Sequence, residues 1–213
     1  VLKKILFISF VVLLTGCQST YYSAMEKVGV HKRDILVDRV EEARDAQDEA
    51  QQQFKDALEQ YRAVVQFNGG ELETLYDRMS AEYDDSVDAA ENVSDRIQSV
   101  ERVAQALFDE WKEELPQYQN TGLRDQSAKQ LKETEKRYAA LMRVMTRAEK
   151  RMQPVLSALK DNVLYLKHNL NARAVGALKG ELARFQRDID KLVSEMQRSI
   201  KESDAFIRSM DAT

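Results

Sequence analysis

From about residue 31 to residue 210, apolar residues recur at alternating steps of three and four, the spacing that gathers them on one stripe of a helix. A first segment, about 31–67, carries Leu36, Val40, Ala43, Gln47, Ala50, Phe54, Ala57, Tyr61 and Val64 on that stripe without a stutter. A second, about 71–115, runs from Leu72 through Tyr76, Met79, Tyr83, Ser86 and Ala90 to Leu107 and Trp111. A third, about 123–170, runs from Leu131 to Leu166 by way of Thr134, Tyr138, Met145 and Asn162. The fourth, about 172–210, runs from Val175 to Met210 and includes Phe185, Met196, Ser199 and Ser203.

The breaks between segments differ in kind. Asn68-Gly69-Gly70 reads as a helix-to-helix turn, and the stretch from Pro116 to Gly122 interrupts the second stripe. His168-Asn169-Leu170-Asn171 has neither Gly nor Pro, so length decides there. A continuous helix of about 88 residues would extend roughly 130 Å with much of its stripe unpaired, which favours a turn with Asn171 as N-cap. Pro154 predicts a kink near Arg151–Pro154.

Four segments of similar length define an all-α fold, an elongated antiparallel four-helix bundle or coiled coil about 55–70 Å long. Antiparallel pairing predicts that Tyr61 meets Tyr76, Phe54 meets Tyr83 and Gln47 lies beside Ala90. About the last turn, Val155 should face Phe185 and Met145 should face Met196. With 7 Gly and 2 Pro in 213 residues, a many-stranded sheet lacks the turn residues it would need. The single Cys excludes an internal disulfide framework and any multi-thiolate metal site.

Residues 1–16 follow a different rule. Lys3 and Lys4 precede an apolar run, Ile5 to Leu14, that is broken only by Ser9. Ten residues make about 15 Å of helix, half of a hydrocarbon core, so a signal peptide is expected rather than a membrane span. Leu14-Thr15-Gly16-Cys17 resembles a bacterial lipobox, and what that implies is acylation of Cys17 as the mature N-terminus. Two or three acyl chains on one residue hold a protein stably on a bilayer. Gln18, rather than Asp, after the Cys points to the periplasmic face of the outer membrane over the inner membrane. Residues 17–30 then form a lipidated tether.

Without Lys3 and Lys4 the chain has 30 basic and 36 acidic residues, net −6, which does not suit nucleic acid. Charge is also unevenly placed. Residues 71–115 carry 4 basic and 14 acidic side chains, net −10, and residues 124–170 carry 11 and 5, net +6. The expectation is that these segments lie side by side and neutralise one another. On that reading Lys129, Lys132, Lys136, Arg137, Arg143, Arg147, Lys150 and Arg151 match the acidic helix rather than an anionic lipid or glycan.

The chemistry inventory is thin. A carboxylate di-metal site in a bundle needs Glu-x-x-His pairs, and Val28 and Tyr165 stand three residues before His31 and His168. Both histidines read as surface or helix-end residues. Asn68-Gly69-Gly70 follows no strand and precedes no Gly-Lys-Ser/Thr, so it is no phosphate loop. No nucleophile-base set can be assembled. No cofactor, metal or catalytic residue is therefore assigned, and an enzyme is not expected. Polar stripe residues such as Gln47, Ser86, Thr134, Asn162, Ser199 and Ser203 are expected to fix helix register, with a buried polar pocket near Asn162 as an alternative.

Three stretches carry a wider likeness: Tyr21–Gly29, His31–Val40 and Leu164–Ala172. Across essentially the whole mature chain the protein resembles a gammaproteobacterial lipoprotein family catalogued as domain of unknown function 2959. The resemblance implies a coiled-coil-rich lipoprotein and brings no functional residues with it. The resulting expectation is a membrane-anchored helical structural or interaction module, a spacer or docking surface for an envelope protein or peptidoglycan. The alternative is a bundle carrier or chaperone that takes an apolar ligand along its seam. Self-association through exposed helix faces stays open.

Overall fold

The computed structural model describes residues 29, 31–67, 69 and 71–211. The expected signal peptide, the residues Leu14, Thr15, Gly16 and Cys17 of the expected lipobox, and nearly all of the expected tether lie outside the described residues. Four long helices account for nearly all of the rest: α1 (Lys32–Val65), α2 (Leu72–Glu114), α3 (Thr121–His168) and α4 (Ala172–Asp211). A short 3-10 turn, Leu115–Gln117, follows α2 and contains Pro116. At 1.5 Å per residue the helices are about 50 to 70 Å long.

Each helix forms because its stripe has a partner. α1 packs against α2 and α4, and α3 packs against the same two, so the four close into a ring with α1 and α3 on one diagonal. All nine stripe positions of α1 are fully buried, from Leu36 to Val64. A second row, Ile35, Ala46, Leu58 and Val65, is buried too, because α1 has a neighbour on each side. The same widening appears as Val103 and Phe108 on α2 and as Leu156 and Val163 on α3. Tyr76, Tyr83, Trp111, Tyr138, Val175 and Leu182 sit at the edge of the core, half-buried against it.

Polar contacts fix the register. Arg96 reaches Glu42 at 2.8 Å and Gln53 Nε2 reaches Glu82 at 2.8 Å, which pairs α1 and α2 antiparallel about the first turn. Arg44 to Asp204 at 3.2 Å sets α1 against α4, also antiparallel. At the end where α2 meets α3, Trp111 Nε1 donates to Ser127 Oγ at 2.8 Å, and Phe108 meets Tyr138 edge-on at 5.4 Å. These are an up-down-up-down topology's neighbours.

The ends are capped by short polar residues. The Asn171 side chain accepts from the backbone of Arg173 at 3.0 Å and Ala174 at 3.2 Å, so the turn before α4 is real and Asn171 caps it. Asn120 does the same for α3, accepting from Gly122 and Leu123. α3 therefore starts at Thr121 and takes in Gly122, two residues earlier than expected, because a good N-cap outweighs one glycine. Gly69 has φ 129°, a conformation open to glycine, and it lies between α1 and α2. Its neighbours Asn68 and Gly70 lie outside the described residues. α3 runs unbroken through Pro154, whose ring sits on the exposed side.

Candidate functional site

Two polar levels interrupt the apolar core, and they are built differently. Toward the end formed by the α1–α2 and α3–α4 turns, the Tyr61 hydroxyl lies 3.1 Å from Asn162 Oδ1 and 3.0 Å from the Leu178 carbonyl. With one proton it donates to either. Asn162 in turn donates to the Ala158 carbonyl at 2.6 Å, and the Tyr61 ring stacks on Phe185 at 4.8 Å. One side chain of α1 thus joins α3 and α4. Burial, with Glu181 nearby, holds the Tyr61 phenol well above its ordinary pKa, so it stays a neutral donor.

The second level lies near the middle of α1. The Arg44–Asp204 and Tyr61–Leu178 contacts bracket it and place Gln47 and Gln51 at the height of Ser199 and Glu195. Both polar atoms of Gln47, together with Gln51 Oε1, Ser199 Oγ and Glu195 Oε2, are buried without a protein partner among the described residues. Ser86, Thr134 and Ser203 instead bond back to the carbonyl four residues earlier on their own helices. The register role therefore falls to Tyr61 and Asn162. A groove of about 510 Å³ does open beside Asn162, between α3 and α4, but both ends of that amide are already bonded inside the protein.

Neutralisation of the acidic second helix by the basic third is corrected by the structure. The two helices do lie side by side, yet the ion pair between them is Lys112–Glu135 at 2.7 Å, with the cation on the acidic helix. Among the described residues, none of Lys129, Lys132, Lys136, Arg137, Arg143, Arg147, Lys150 and Arg151 has an ion pair. Part of the reason is axial, although Asp109, Glu113 and Glu114 stand level with the stretch from Lys129 to Arg137 and pair with none of it. A groove walled by Glu91 and Ser94 of α2 and Glu149 and Gln153 of α3 shows which positions are level. The exposed acids Asp77 to Glu91 therefore face the α3 stretch after Glu149, whereas most of the basic residues precede it. Total charge per helix was visible in the sequence; its offset along the rod needed the pairing.

A surface groove of about 890 Å³ follows this basic stretch. Its floor is Tyr138, Ala139, Met142 and Pro154, and its rim is Arg143, Arg147, Lys150 and Arg151, with Glu101 across from them. Burial, with Glu101 nearby, pushes the Tyr138 phenol up to about 12. A smaller cleft of about 240 Å³ opens at the opposite end of the bundle from Asn171, lined from all four helices by residues that include Arg33, Trp111, Thr134 and Met210.

The two histidines are placed at helix ends. His31 precedes the first turn of α1, where its N–H donates to Asp34 at 3.3 Å, and His168 is the exposed last residue of α3. Exposed apolar side chains gather at two places that sequence pattern did not single out as surface. Tyr118 and Leu123 flank the α2–α3 turn, and Leu164, Tyr165 and Leu170 flank the α3–α4 turn. Their signal was present, since none of the five falls on a stripe.

Such an arrangement defines an all-α antiparallel bundle with charged surface grooves and apolar tips. The family described as Protein of unknown function (DUF2959) matches residues 21–210, and the chain belongs to that family. No curated protein and no solved structure matches it. No helix among the described residues is long and apolar enough to cross a membrane.

Proposed function

We propose that the protein is a periplasmic lipoprotein, held on the outer membrane by acylated Cys17, that works without catalysis as a helical structural or docking module. The observation that carries this reading is the tip at the α3–α4 turn. Leu164, Tyr165 and Leu170 are 41 to 46% exposed at the end of a rod about 50 to 70 Å long, where nothing in the bundle core requires them. A rod with an apolar tip presents a contact surface at a fixed distance from its tethered end. The occupant of that tip is an envelope protein or peptidoglycan.

In-cell photo-crosslinking from Tyr165 and Leu170 tests the docking half, with capture of a discrete envelope component expected and capture of only lipid or nothing counting against it. Cys17→Ser tests the anchor. The variant should leave the outer-membrane fraction or stay unprocessed, and normal processing with normal membrane recovery contradicts the lipid attachment. The carrier reading is favoured by the cleft at the other end, which takes walls from all four helices. It requires the purified protein to bind a hydrophobic dye and to lose that binding on Met210→Ala, whereas a docking rod should bind no dye there.

A further inference from the structure

The surface holds two long stripes of opposite charge that do not meet within one chain. On α2, Asp77, Asp84, Asp88, Glu91 and Asp95 recur at helical spacing, all exposed and none in an ion pair among the described residues. On α3, Lys129, Lys132, Lys136, Arg143, Arg147 and Lys150 do the same. Each stripe is about 30 Å long. Like charges three and four residues apart repel along a helix, so each stripe works against its own helix when unpaired. They lie on adjacent helices, one in the half of the rod toward the α3–α4 turn and the other in the half toward the α2–α3 turn.

We infer that this face binds a second copy of the chain, antiparallel and related by a two-fold axis. A two-fold perpendicular to the diagonal that joins the two stripes, with the rods crossing at an angle, lays the acidic stripe of each copy over the basic stripe of the other, so both contacts form at once. No side-by-side copy pointing the same way at the same height does this, because like halves then lie level. The groove on the basic half adds an apolar floor, Tyr138, Ala139 and Met142, beneath the charged rim. A tether of 14 residues reaches at most about 45 Å, enough for paired rods to lie along one membrane or to join two facing ones. The pairing itself depends on neither the anchor nor the docking tip.

Sedimentation of the full-length chain in a density-matched mild detergent tests it. The expected result is a dimer whose dissociation constant rises at least tenfold when salt goes from about 50 to about 500 mM. Reversing one stripe with Arg143→Glu, Arg147→Glu and Lys150→Glu should give a folded monomer, as should Asp84→Lys, Asp88→Lys and Glu91→Lys. Circular dichroism checks that each variant keeps its helices. Mixed in equal amounts, the two variants should re-form a dimer, because one now has two acidic stripes and the other two basic ones. A monomeric parent chain at low salt, or variants that stay apart on mixing, overturns the inference. So does a monomeric parent whose binding to phosphatidylglycerol vesicles is lost in the Glu-substituted variant, which makes the basic stripe a lipid-facing surface.

Discussion

Tyr61 and Gln47 lie on the same stripe of α1, about four turns apart, and both are fully buried. Tyr61 finds acceptors on two other helices and an aromatic ring to stack on, while Gln47 leaves an amide with no protein partner. Equal burial therefore means opposite things for the fold. A satisfied polar group in a coiled-coil core locks helices at one height, and an unsatisfied one weakens the core without choosing anything. The bundle is pinned near its α3–α4 turn by hydrogen bonds between helices that the Gln47 level does not make.

The largest test of that contrast is Tyr61→Ala, which removes the ring and the donor together and should destabilise the protein by about 3–5 kcal/mol in urea unfolding. Tyr61→Phe, which keeps the ring, should cost about 1–2 kcal/mol, since Asn162 Oδ1 and the Leu178 carbonyl then lose their donor. An unchanged midpoint in Tyr61→Phe would mean that the hydroxyl contributes nothing.

Gln47→Leu should act in the other direction, stabilising by about 1–3 kcal/mol through removal of a buried, unpaired amide of similar size. An unchanged or lower melting temperature would show that water at this level already satisfies Gln47, Gln51 and Ser199, and the two levels would then be alike. Asn171→Ala removes the cap of α4 beside the pinned level and should cost about 1 kcal/mol.

The tyrosine hydroxyls can also be tested in alkaline solution. The Tyr61 and Tyr138 phenols are raised in the folded state, Tyr138 to about 12, while unfolded tyrosines ionise near pH 10, about the ordinary value. The unfolded chain releases these protons first. The stability they supply is whole below about pH 10 and is lost as pH rises toward the folded values. Urea midpoints measured from pH 8 to 11.5 should fall across that window, and less steeply in Tyr61→Phe than in the parent.

The stripes of all four helices could be read from residue spacing, because burial in a bundle follows a single period, and the first two turns from their Gly and Pro, while the third rested on helix length. The second buried row was less legible, since Ile35 or Leu58 becomes core only once α1 has neighbours on two sides. Closure of α1 against α4 through Arg44 and Asp204 joins residues 160 positions apart and leaves no local trace. The same holds for Tyr61, whose place on the stripe was plain but whose partners were not. Asn120 carries a capping signal of its own, which the stretch from Pro116 to Gly122, read only as a break, conceals.

Trp111, the chain's only tryptophan, sits at the end of the rod away from Asn171, its indole held by Ser127. Intrinsic fluorescence is consequently a one-ended signal. Fraying that begins where α1 gives way to α2, or α3 to α4, should be silent in emission while far-ultraviolet ellipticity is already falling. A gap between the two melting curves then reads out directly which end lets go first.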